Sequence, residues 1–305
     1  MDITVAGAPV SFGVFELTPE GAATVSADEM IDVLVDADYA GIDLGPIGFL
    51  GEEEQVRRRL DRAGLHLAGG WVQLPLSDDE AFAAAVPALR RALRTFSAAA
   101  ETGPARLPLP TLADDGSARR QSAPGRGAEV DPLPDAAWDR LIANTERAAA
   151  IVREAGLEPT FHHHAGTFVE SPEEIDRFLS LVDVDLTLDT GHLFIAGGDP
   201  LDAVARWGDR INHLHLKDVD LAVLHRVLSA GGGMREVWSS GCFVAFGRGD
   251  VDLAGVMTAM AERDFDGWVV VEQDVLNRPD ISIDDFRMAR AQDQRINREA
   301  LRPWA

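Results

Sequence analysis

Residues 159–219 read PTFHHHAGT (159–167), SPEEIDRFLSLV (171–182), DLTLDTGH (185–192), DPLDAVARWGD (199–209) and INHLHLKDV (211–219). The first, third and fifth pieces are short and alternate polar with apolar residues, which is the two-residue period of a strand. The pieces between them carry apolar residues three and four apart, the period of a helix. The earlier helix opens on Ser171 with Glu174 three residues later, the reciprocal pair of a capping box. Strand, helix, strand, helix, strand in so short a span describes parallel strands joined by crossover helices.

The same alternation extends in both directions. Further strands are expected at ITVAGAP (3–9), GIDLG (41–45), HLAGGW (66–71), ARLPLPT (105–111) and WVVVE (268–272), beside those at 158–163, 185–189 and 211–217. Helical patterns fill the gaps at 27–39, 52–64, 78–103, 135–156, 252–265 and 282–301. Eight such units with no break in composition predict an α/β fold, a single (β/α)8 TIM barrel that takes residues 1–305 as one domain. Two connections are long, 112–134 after the fourth strand and 218–250 after the seventh. Both follow strands, so both belong to the C-terminal face, where barrel active sites are built. The first reads as a surface loop or a lid. The second contains Trp238, Phe243 and Phe246 and is expected to pack or to cover a substrate.

Composition narrows the function. The net charge of −23 leaves no basic stripe for a nucleic acid. The start lacks the basic and apolar regions of a signal peptide, and no later stretch reaches membrane-spanning length. With Cys242 as the one cysteine, a cytoplasmic, reducing setting is expected. No GxGxxG follows the first strand, and no GxxxxGK[ST] or GxSxG occurs, so nucleotide binding and a serine elbow are unsupported.

Six of the eight histidines fall at the ends of the three strands quoted first, and one of these strands carries the chain's single lysine. Positive charge is otherwise arginine, so Lys217 stands where arginine does not serve. Parity sorts the side chains. With Leu214 and Leu216 facing the helices, His213, His215 and Lys217 face inward. By the same rule Asp185, Thr187 and Asp189, and Thr160, His162 and His164, also point inward. The eighth strand is apolar up to Glu272, and its parity stays open. His162, Asp189, His215 and Glu272 then meet near the top of the barrel. Two imidazoles and two carboxylates suit an open six-coordinate divalent ion, Mn2+ or Co2+ first, with Fe2+ or Zn2+ as alternatives. Around them, His192 and Glu272 are candidate bases, and Lys217 and His164 candidate acids or substrate-orienting groups. His163 is expected to support the site from behind, and His213 to be a structural hydrogen-bonder. Asp43 and Asp114 have weaker claims.

The stretches APVSFGVFE (8–16), FHHHAGT (161–167), SPEEIDRFLSLVD (171–183), LDTGHLFIAGGDPLDAV (188–204), HLHLKDV (213–219) and WVVVEQD (268–274) resemble the xylose-isomerase-like barrels, a superfamily of sugar isomerases, epimerases and related lyases. Within it the chain is most similar to the inosose (2-keto-myo-inositol) dehydratase group. The resemblance implies the metal set His162, Asp189, His215 and Glu272, a polyol or keto-sugar substrate, and loss of water by α-proton abstraction and β-hydroxyl elimination. In the sugar epimerases the position of His162 is usually a glutamate, so the resemblance favours elimination over two-base epimerisation. Isomerisation, epimerisation and cleavage of 3-keto-glycosides remain the alternatives on this site. A homo-oligomer is compatible with the sequence.

Overall fold

The computed structural model describes residues 1–15, 24–101, 103, 106–278 and 280–305. Glu16 of the 8–16 stretch, Thr102 of the long helix and Ala105 of the fourth expected strand lie outside the described residues.

Eight strands form the barrel: β1 Asp2–Gly7, β2 Gly41–Ile42, β3 in two pieces (His66–Leu67 and Gly69–Leu74), β4 Leu109–Asp114, β5 Thr160–His162, β6 Asp185–Asp189, β7 Ile211–Leu216 and β8 Asp266–Val271. Each pairs in parallel with its neighbours in sequence, and β1 pairs with β8. Closure happens at the break in β3. The Ala68 N–H donates to Ile42 O at 2.9 Å, while its carbonyl accepts from Leu109 N at 3.0 Å. One residue thus serves both sides of the seam. β4 begins later and runs further than the expected 105–111.

The outward faces carry the main core. Phe161, Leu186, Leu188, Leu214, Leu216, Val269 and Val271 are all fully buried. Helix boundaries follow the capping chemistry. Ser171 Oγ accepts from Glu174 N, and Glu174 Oε2 accepts from Ser171 N at 3.1 Å, starting the helix Pro172–Leu179. Inside the barrel Ala6, Ala8, Ala68, Trp268 and Val270 form a separate small cluster. The Trp268 ring fits there because Gly41 has no Cβ, which would lie 2.6 Å from the ring. Its indole N–H donates to Leu107 O at 3.1 Å.

The two long connections are built segments and not open loops. Residues 112–134 include the end of β4 and the short helices Ala118–Gln121 and Gly127–Val130. Glu170 holds this connection by accepting from the backbone N–H groups of Gly125, Gly127 and Gly166. Residues 218–250 hold the helices Leu221–Ser229 and Met234–Ser240 and an antiparallel pair, Asp218–Val219 with Phe243–Val244. Here buried Asp218 accepts from Gly247, Gly249 and Val251. Trp238, Phe243 and Phe246 are buried, as their apolar character required. No helix among the described residues is long and apolar enough to cross a membrane.

Candidate metal centre and active site

His162 ends β5, Asp189 ends β6, His215 lies in β7 and Glu272 follows β8. Register sets their heights, with Asp189 and Val270 both level with His215. Trp268 and Val270 face the barrel interior, so the parity of β8 that the sequence left open brings Glu272 inward as well.

His162 Nε2 lies 3.1 Å from His215 Nδ1 and 3.4 Å from Asp189 Oδ2. His215 Nδ1 lies 3.0 Å from Glu272 Oε2 and 3.8 Å from Asp189 Oδ2. One ligand atom from each of the four residues falls within 4.8 Å of all the others. Ligands ~2.0–2.2 Å from a common ion subtend edges of ~3.0–3.5 Å in octahedral or tetrahedral geometry, so the four donors fit a divalent cation. The His162 tautomer also suits the role. Its Nδ1 lies 2.6 Å from His163 O, a carbonyl that can only accept, so Nδ1 carries the proton and Nε2 presents its lone pair. Burial lowers the His162 pKa and keeps the ring neutral, as a ligand must be.

Lys217 closes the arrangement. Its Nζ lies 2.5 Å from Asp189 Oδ2, in contact with Glu272 Oε2, and 3.3 Å from Asp274 Oδ1. Burial pulls the ammonium pKa down, but the Asp189, Asp274 and Glu272 carboxylates outweigh it and the net shift is upward. Burial likewise opposes ionisation of Asp189, and Lys217 overrides it, leaving the carboxyl well below its usual range. At Glu272 burial is again the opposing influence, and His215 and Lys217 overcome it to the same effect. Asp274 differs, for burial dominates and pushes it up to about 7.

The remaining candidates divide by position. His164 lines the cavity, and burial takes its imidazole down to about 3. Its Nδ1 donates to Ala165 O at 2.8 Å, which leaves Nε2 as the ring's lone-pair nitrogen. His192 sits in the short helix Thr190–Ile195, behind the cavity wall. Its ring stacks on His164 with centroids 3.5 Å apart, and its Nε2 lies 3.2 Å from Asp274 Oδ2. His163 supports the site as expected, its Nε2 accepting from Asp189 N at 3.2 Å. His213 is not the expected hydrogen-bonder. Both its ring nitrogens are buried with no hydrogen-bond partner among the described residues. Asp43 lies with His213 and His215, each offering one donor atom within 4.8 Å of the others, and lines the cavity. Asp114 is structural: it accepts from Gly116, Phe168 and Val169 and ties the connections after β4 and β5 together.

Three residues escaped the sequence reading. Asp274 follows Glu272 at the same parity, which was the available signal. Trp71 meets His162 and His164 edge-on with centroids 5.1 Å from each. Its inward place within the second piece of β3, Gly69–Leu74, was hidden by the break at Ala68. Arg120 is fully buried and pairs with Glu174 at 2.8 Å while donating to Thr167 O and Asp131 O. An arginine next to the exposed Arg119 in an aperiodic stretch gives no signal of burial.

His162, His164, His215, Lys217, Glu272 and Asp274 open onto one cavity of about 1540 Å3 at the C-terminal face. The model of the family described as xylose isomerase-like TIM barrel matches residues 31–292. The chain belongs to that family. Among relatives of known name, the family member is 31% identical over 252 residues to an inosose dehydratase of Geobacillus kaustophilus, covering 80% of this chain and 79% of that one. It is 28% identical to an inosose dehydratase of Bacillus velezensis, covering 89% of each. The rhizopine catabolism protein MocC of Rhizobium meliloti is 30% identical, covering 89% of this chain and 82% of that one. Solved structures share the fold at low identity. The IOLI protein with a bound zinc atom superposes with a TM-score of 0.71 at 11% identity, covering 98% and 97% of the two chains. The D-allulose 3-epimerase of a Methylomonas species, in complex with D-allulose, gives 0.67 at 17%, covering 99% and 96%.

Proposed function

We propose that this barrel is a metal-dependent hydro-lyase that removes water from a keto-inositol or a related keto-sugar. The observation that carries this reading is the four-donor set on adjacent strand ends, backed by a lysine clasped between two of its carboxylates. Similarity to inosose dehydratases over most of the chain supplies the reaction class. His162, Asp189, His215 and Glu272 would hold the ion, Mn2+ or Co2+ first. When bound, a divalent cation supplies Lewis acidity at a ketone oxygen and so acidifies the adjacent C–H.

The chain's own groups do the rest. The base must reach the α-carbon, and Glu272 and Asp274 line the cavity where His192 does not. His192 therefore acts through Asp274, whose Oδ2 it faces. Lys217 keeps its proton among three carboxylates and is placed to hold the departing hydroxyl as a charged donor, with His164 also lining the cavity. Trp71 walls the site next to both histidines and keeps water from that side.

The reaction can be tested with the Mn2+- or Co2+-loaded protein and 2-keto-myo-inositol in deuterated water. The expected product has lost one water, absorbs in the ultraviolet as a conjugated diketone, and carries deuterium at the carbon that lost its hydroxyl. A product of unchanged composition with deuterium beside the carbonyl would make the enzyme an isomerase or epimerase. Release of an aglycone from a 3-keto-glycoside would make it the glycoside-cleaving lyase.

A further inference from the structure

Glu272 and Asp274 both follow β8, and the barrel ladder stops short of them. The register of β8 ends with Val271, opposite Gly7 of β1 and Leu216 of β7. Glu272 N still donates to Leu216 O at 3.0 Å. On the other side β1 has already given way to the helical turn Pro9–Phe12. A chain that has left its ladder needs some other support to keep the alternation that sends both carboxylates inward.

Gln273, between the two, has that support. It is 1% exposed, and its backbone N–H donates to Ser11 Oγ at 2.9 Å. A buried hydroxyl of the turn thus stands in for the missing ladder partner. The Gln273 side-chain amide donates to Asp293 Oδ2 and accepts from Asn297 Nδ2, each at 3.4 Å. Both partners belong to the helix Ile283–Ala300, whose buried residues are Phe286, Asp293, Gln294 and Asn297. Three of these are polar, although apolar residues would pack an outer helix with no partners to satisfy. Asn297 Oδ1 also accepts from Phe246 N at 2.8 Å, which ties the same point to the connection after β7. Ser11, Gln273, Asp293 and Asn297 lie outside the cavity lining.

We propose that Ser11, Gln273 and Asn297 are positioning residues, a clamp that carries strand alternation past the end of β8 and holds Glu272 and Asp274 on the inner face. The inference rests on Glu272 being a ligand of the metal ion. Ser11 fixes the backbone at Gln273, and Asn297 with Asp293 keeps the Gln273 side chain turned to the helices. The residues on either side then face inward, Glu272 toward the metal set and Asp274 toward Lys217 and His192.

Co2+ binding tests this without turnover, since the visible absorption of the bound ion depends on its ligands and their geometry. Ser11→Ala removes one oxygen, and Gln273→Met keeps the length and removes the amide. In protein that keeps its circular dichroism, each should bind Co2+ about tenfold or more weakly, the scale of losing the outer support of a ligand, and with altered visible bands. Asn144→Leu is the comparison, for Asn144 is also buried and donates to Leu76 O and Asp79 Oδ1 away from the cavity. It should lower the urea midpoint and leave Co2+ binding unchanged. Glu272→Gln should lose most of the affinity. Wild-type affinity and bands in both Ser11→Ala and Gln273→Met, or an equal weakening in Asn144→Leu, would overturn the clamp and leave the four-ligand reading standing. Wild-type Co2+ binding in Glu272→Gln would overturn that reading and the clamp with it.

Discussion

Lys217 reaches Asp189, Glu272 and Asp274 through a single nitrogen at 2% exposure, in a space walled by Gly191 and Phe243. A Cβ on Gly191 would lie 2.5 Å from Lys217 Cβ, so glycine is what lets the lysine stem pass there. A guanidinium is planar and spreads its donors over a fork, whereas Lys217 meets all three carboxylates with one compact ammonium. Lys217→Arg is expected to keep the metal and lower kcat about a hundredfold, the scale of losing one positioned charged donor. Full activity in that variant, read beside its metal content, would return Lys217 to a structural role. At this scale the sequence was legible wherever parity was regular. Alternation with buried leucines was enough to turn His162, Asp189, His215 and Lys217 to one side. It did not say which inward groups reach the cavity. His192 faces Asp274 from behind, because the chain enters a helix at Thr190 and the strand period ends there.

Helices and strands were readable where backbone groups are satisfied within the element or by its own caps, as at Ser26 and Ser171. The connections after β4 and β7 were not, because their backbone N–H groups are satisfied by distant carboxylates of Asp114, Glu170 and Asp218. No local period records such stitching. Arg120 is the central cation of the first connection, joined to Glu174 of the neighbouring helix and lying over the Phe168 ring. Arg120→Met would strand the partly buried Glu174 carboxylate. The expected cost is about 3–5 kcal/mol, read as a lower midpoint in urea at unchanged slope. Adding Glu174→Gln should recover part of it, since the stranded charge is then gone. An unchanged midpoint in the single variant would show that the ion pair holds nothing in place.

Across the whole molecule the barrel was legible from eight repeats of one alternation, but its closure through Ala68 was not, since a two-piece strand breaks the period. The acid excess of the chain, −23 overall, reaches into the site in a balanced form. Lys217 faces Asp189, Glu272 and Asp274, so one ammonium meets three carboxyl groups, of which burial pushes Asp274 up to about 7. A divalent cation would match the carboxylate charge that Lys217 leaves over, and buried charge is tolerated only when it is matched. The central claim is therefore a single metal ion at these four ligands. Its most direct test is metal content by elemental analysis after dialysis, with circular dichroism to check the fold. The wild-type protein should retain one Mn2+ or Co2+ per chain, and Asp189→Asn and His215→Ala should retain almost none while staying folded. Retention of metal in both variants, or none in the wild type after loading, would contradict the account.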